Sequence, residues 1–239
     1  MIWENFKHQF HESWHIKIQP FIESEECDKI YAFLKSESKR GKKIAPMSAN
    51  VFRCFKETSL DNLKVVMMGM CPYHTMKNGV YIADGLLMGC SATNQLQPSL
   101  EQFYGGIERE LYAGLNLKFQ QTPDVKYLAE QGVLMINAAL TTEINKAGSH
   151  IALWEPFTKY LLQDVLATAG VPYIFLGKDA AKYQPFLPPF TWSFVTSHPA
   201  SAAYKHTEWN PEGAFIKVNE ILKQNNNYSI EWLYEEPPF

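Results

Sequence analysis

Four short runs of almost uninterrupted apolar residues constrain this chain most: "KVVMMGM" at 64–70, "GVLMINAAL" at 132–140, "PYIFLG" at 172–177 and "WSFVTSHP" at 192–199. A strand with one wet face alternates apolar and polar side chains, so a run that is apolar at nearly every position must bury both faces. Between the runs lie stretches with helical spacing, "SLEQFYGGIERELYAGL", "WEPFTKYLLQDVLATAG" and "DAAKYQPFL". Doubly buried strands alternating with helices predict an α/β fold, with a central, mostly parallel four-stranded sheet and helices on both faces. "AFIKVNEILKQNN" predicts a closing helix. Ahead of the first strand, "SEECDKIYAFLKSESKR" predicts a helix capped by Ser24, with Ile30, Tyr31, Phe33 and Leu34 as its apolar positions, and "ANVFRCFKETSL" a second, shorter one. A chain of 239 residues with 46% hydrophobic content fills one core well and two poorly. The expected organisation is therefore a single domain over 1–239, with a helical lead-in at about 14–60 and an α/β core at about 61–235.

Composition removes several functional classes. No apolar run approaches the roughly 20 residues a membrane helix needs. The opening "MIWENFKHQFHESW" lacks the basic-then-apolar pattern of an export signal. The expectation is a cytoplasmic protein with no membrane partner. The cysteines, Cys27, Cys54, Cys71 and Cys90, form no CxxC pair, so neither a metal site nor a disulfide framework is expected. A net charge of −3 argues against a general nucleic-acid coat protein but leaves room for a local basic face. The dense cluster "KRGKK" at 39–43 reads as a solvated loop, and the acidic, aromatic tail "EWLYEEPPF" as a surface terminus.

Polar residues gather where the strands end. Cys71, Tyr73 and His74 follow the first run, Asn137 and Thr141 the second, and Ser197, His198 and Pro199 the fourth, with His150 a further candidate. Open α/β sheets bind ligands outside the carboxyl ends of their strands, so these ends predict one site. Two chemistries compete for it. A thiol beside a histidine is a nucleophile pair, although Pro72 prevents Cys71 from opening a helix. A lone asparagine offers one acceptor and two donors in a plane, which suits the edge of a base, or else simply closes a loop.

These residues carry a resemblance. The family 1 uracil-DNA glycosylases have GQDPYH after their first strand, and this chain has "GMCPYH". Their LLLNxxLT, Ser-His and Trp-Glu-x-Phe-Thr pattern is similar to "LMINAALTTEINKAGSHIALWEPFT". Their PPSL loop resembles "QPSL", their HPSPLS motif resembles "SHPASAAY" in altered form, and "GKKIAPMSANVFRCF" fits their lead-in. The likeness runs in order from about Trp14 to Trp232. It implies an enzyme that flips a damaged nucleotide out of single- or double-stranded DNA and hydrolyses its N-glycosidic bond, without a cofactor or metal. It implies that Asn137 reads uracil O4 and N3–H, that Tyr73 excludes a C5 methyl group, and that His198 donates to O2 as charge builds on the leaving base. It further implies that His74, Ser99 and Ser201 contact DNA phosphates. Partners beyond DNA would be a proteinaceous inhibitor or a replication protein, and the chain is expected to act as a monomer.

The chain also departs from that pattern. Cys71 stands where the family has the aspartate that positions water, so a group charged at neutral pH is replaced by one that is mostly neutral. Met70 replaces a glutamine, and Met88 replaces the phenylalanine that stacks on the base. Ala202 or Ala203 falls at the leucine wedge of HPSPLS, with Tyr204 just beyond. Three readings follow: a glycosylase for uracil or a related modified pyrimidine, a non-catalytic DNA-binding or replication-accessory protein on the same scaffold, or a different enzyme with Cys71 as nucleophile.

Overall fold

The first apolar run folds as strand β1 (Val65–Gly69), the second as β2 (Val133–Asn137), the third as β3 (Tyr173–Leu176) and the fourth as β4 (Ser193–Thr196). The structure is a computed structural model that describes residues 6–235 except 116. The strands form one sheet in the order β2-β1-β3-β4, and every neighbouring pair is parallel. Met67 faces Met135 on one side and Ile174 on the other. Every residue of β1, β2 and β3 is buried, as uninterrupted apolar runs require. Strand β4 departs from the expectation of burial on both faces: Val195 is 41% exposed, whereas β2, the other edge strand, is buried throughout.

Helices flank the sheet: α1 (His15–Ile22), α2 (Glu25–Lys39), α3 (Arg53–Glu57), α4 (Pro98–Leu111), α5 (Lys126–Glu130), α6 (Ile151–Tyr160), α7 (Lys178–Ala181), α8 (Pro199–Lys205) and α9 (Ala214–Asn226). Ser24 caps α2, its hydroxyl accepting from the Cys27 N–H at 3.3 Å. Helix α1, with Pro20 inside it, is held by burial of Ile18, Phe21 and Ile22, and the Phe21 ring lies 5.1 Å from that of Phe157. "DAAKYQPFL" does not fold as one helix. It splits into α7 and a 3₁₀ turn at Gln184–Phe186, where Pro185 has no N–H to continue the ladder. The "KRGKK" segment is only partly a solvated loop. Arg40 and Lys42 both pair with the buried carboxylate of Glu37, and Lys42 reaches Glu143 at 3.4 Å, tying the end of α2 to the loop beyond β2. The tail is anchored rather than free: Trp232 is buried, and Tyr234–Glu235 pair antiparallel with Phe119–Gln120. Residues 236–239 of that segment lie outside the described residues.

Strand order places the site. From β1 the chain runs outward to β2, then returns past β1 to β3 and β4. The direction of winding reverses between β1 and β3, and such a reversal leaves a crevice outside the carboxyl ends of the two strands.

Candidate active site

A cleft of about 930 Å³ opens at that reversal. Its walls come from the turn after β1, the segment at Leu87–Met88, the start of α4, the turn after β3, and the end of β4 with α8. It brings together Met70, Cys71, Tyr73, His74, Met88, Ser99, His198 and Ser201. Asn137 and Thr141 at the end of β2 do not line the wall, but the loop beyond them does: it contributes Ala147, and its Gly148 N–H bonds Cys71, while β3 adds a strand end that sequence reasoning does not include. Thr141 and His150 are buried elsewhere. The Trp154 indole N–H donates to Thr141 Oγ1 at 2.7 Å, and that hydroxyl lies 2.9 Å from His150 Nδ1. Phe33 packs edge-on against the imidazole, and burial lowers the pKa of His150. His150 is therefore a structural histidine that fastens α6 to the loop beyond β2.

Asn137 sits beneath the floor of the cleft. It is 6% exposed, and its Oδ1 has no hydrogen-bond partner. It stands over Gly69: a Cβ on that residue would lie 2.8 Å from Asn137 Oδ1 and 2.4 Å from Leu87 Cδ1, so any side chain there would displace both. Leu87 packs on the same spot and does line the cleft. A buried acceptor without a donor costs about 1–3 kcal/mol, and such a group in a native fold calls for an explanation. A ligand N–H would supply the missing donor.

Cys71 Sγ accepts from the Gly148 N–H at 3.2 Å. Burial pushes its thiol up and outweighs the Gly148 hydrogen bond, which acts the other way; the negative charge of Asp179 adds a smaller push upward. Among the other thiols, burial raises Cys27 to about 11 and Cys90 to about 12, and all four cysteines are free. Cys71 is thus a neutral thiol at neutral pH, which gives the nucleophile reading no support.

His198 is the N-cap of α8, and its Nδ1 accepts from the Ala200 N–H at 3.1 Å. That bond fixes the tautomer with the proton on Nε2, and burial lowers the pKa of the imidazole, so it stays neutral. The Tyr73 hydroxyl lies 2.6 Å from Ser99 Oγ, and burial raises the phenol's pKa. Ser99 is itself buried, so its hydroxyl holds the Tyr73 ring in place.

Met88 has left-handed backbone at φ 60°, an uncommon conformation for such a side chain. Its loop is braced from below. Asp84 accepts from Leu86 N–H, Ser91 N–H and the Ser91 hydroxyl at 2.7–3.1 Å. Asp84 also pairs with Arg53 at 2.8 Å, and Arg53 forks onto Asp124 at 3.0 and 3.2 Å. Sequence reasoning missed Asp84, Arg53, Leu87 and Asp179. The only signal for Asp84 is an acid next to Gly85 ahead of an apolar run. The rim is formed by α8, where Tyr204 is 82% exposed beside Lys205.

Taken together, a four-stranded parallel sheet and a cleft at its reversal, walled by a neutral histidine and a clamped tyrosine, define an α/β enzyme with its site at the topological switch point. The comparisons with known proteins are specific. A family model described as the uracil DNA glycosylase superfamily matches residues 55–223. A uracil-DNA glycosylase of Pseudomonas aeruginosa is 34% identical over 217 residues, covering 87% of this chain and 90% of the relative. One from Francisella tularensis subsp. holarctica is 32% identical over 208 residues, covering 85% and 90%. The crystal structure of mimivirus uracil-DNA glycosylase superposes with a TM-score of 0.82 at 24% identity, covering 95% of this chain and 89% of that one. A mimivirus UNG variant in complex with UGI superposes with a TM-score of 0.82 at 22% identity, covering 93% and 88%. The chain belongs to the uracil DNA glycosylase superfamily.

Proposed function

We propose that this protein is a uracil-DNA glycosylase of the family 1 type, with "GMCPYH" as its variant of the first motif. It hydrolyses the N-glycosidic bond of uracil in DNA and leaves an abasic site. The observation that carries this reading is the fixed tautomer of His198. Because Nδ1 is committed to Ala200, the imidazole offers a single donor, Nε2–H, and its neutrality lets it stabilise charge developing on uracil O2. Asn137 supports the reading from below: its orphaned Oδ1 accepts from uracil N3–H while its amide donates to O4. Cytosine lacks the N3–H and presents an amino group at position 4, so it leaves both partners mismatched. Tyr73, held by Ser99, closes the space a thymine methyl group would need. Met70 and Met88 pack against the flipped ring, and His74, Ser201, Lys178 and Lys205 meet the phosphates on either side. A protein inhibitor that plugs this cleft is a further expected partner, supported by the mimivirus variant solved with UGI.

The test is uracil release from a single-stranded oligonucleotide. His198→Ala should cost about 10²–10³ in rate, the usual worth of one preorganised donor. Asn137→Ala should abolish measurable release, and Cys71→Asp should release uracil faster than wild type. A wild-type protein that binds DNA but stays silent, together with a silent Cys71→Asp, would establish the accessory-protein reading instead.

A further inference from the structure

Asp179 is the sole carboxylate among the described residues that line the cleft. It lies in the first turn of α7, a short helix packed against both β1 and β3, and β1 is the strand that runs into Cys71. Gly177, just before it, is left-handed at φ 90°, and a Cβ there would stand 3.1 Å from His198 Cβ. The turn that carries Asp179 is therefore seated against His198. The charge of Asp179 reaches the Cys71 thiol across the cleft. Its ion-pair partner is Lys182 at 2.6 Å, a side chain 72% exposed. An exposed pair of this kind holds its carboxylate weakly. Cys71 supplies no charge, so the one anion on the cleft wall among the described residues comes from a different strand end, that of β3.

We infer that Asp179 is the catalytic carboxylate of this cleft, ordering the attacking water and balancing the positive charge that develops on the sugar. The assignment rests on the glycosylase reading. In the step it serves, the C1′–N1 bond breaks and its electron pair leaves with the base, whose O2 is held by His198. A water oxygen bonds to C1′, its proton passes to the Asp179 carboxylate and from there to solvent, and the base anion takes up a proton from solvent. Water is the only co-reactant.

Single-turnover uracil release from a single-stranded oligonucleotide tests this with the full chain. Asp179→Asn, nearly isosteric, should slow release by about 10–10²-fold, the low end for a general base because the group is half exposed, without weakening DNA binding, since it removes a negative charge from a wall that faces phosphates. Lys182→Met should release at the wild-type rate. In the Cys71→Asp background, which already holds a carboxylate, Asp179→Asn should cost less than about threefold; a packing role for Asp179 would give the same fold loss in both backgrounds. Asp179→Asn at the wild-type rate, or an equal fold loss from Asp179→Asn with and without Cys71→Asp, overturns the assignment and leaves the glycosylase reading standing. A wild type that releases no uracil overturns both.

Discussion

Three side chains shape this site through what their neighbours do to them. The His198 imidazole is held neutral by burial and aimed by a bond to its own helix. The Asn137 acceptor waits without a donor, and the Cys71 thiol is pushed away from ionisation. Residue identity alone states none of these conditions. Cys71 illustrates the point: its sequence context leaves thiol and thiolate both open, and the answer depends on burial and on Asp179, a residue 108 positions away in the chain. Increased release by Cys71→Asp and loss of release by Asn137→Ala are the predictions that belong to this scale.

Elements decide how those residues are presented. Helix α8, "PASAAYK", opens on Pro199 and runs through alanines, whereas motif comparison matches these letters only to an altered HPSPLS motif and predicts no helix there. Because it is helical, Tyr204 projects from the rim with 82% of its surface exposed, where a duplex must part for a base to leave it. Tyr204→Ala should therefore reduce uracil release from double-stranded DNA at least about tenfold more than from single-stranded DNA, since unstacking costs a few kcal/mol only in the duplex. Equal losses on the two substrates would remove Tyr204 from base extrusion. The loop that carries Met88 rests on Asp84, whose side chain is almost inaccessible. Removing one partner of a buried ion pair strands the other. Asp84→Asn should lower the unfolding free energy by about 3 kcal/mol, read from the urea midpoint, and should weaken activity by loosening Met88.

At the scale of the whole molecule, stability is coupled to pH. Burial lowers the pKa of both His150 and His198, so the unfolded chain binds more protons than the folded one below the ordinary histidine value of about 6.5. Stability from these residues is fully present above that value and is lost as pH falls through it toward the folded values. The Tm should decline between pH 7 and pH 5, and His150→Asn should flatten part of that decline. An unchanged slope in the variant would place the effect elsewhere. The division between chain and fold follows from the same physics. Burial on both faces is a property of a run of letters, so the three fully buried strands, most of the helices between them and the closing helix are all legible in the amino-acid sequence. The motifs name the residues of the cleft for the same reason: a turn at the end of a strand is local. Strand order is not local. It sends β2 to the far side of β1, takes Thr141 and His150 out of the cleft, puts Asn137 under its floor, leaves β4 at an edge, and brings Asp179 and Leu87 to the wall. Position in the sheet, and with it burial, charge and tautomer, depends on pairings between segments far apart in the chain, which only the tertiary structure decides.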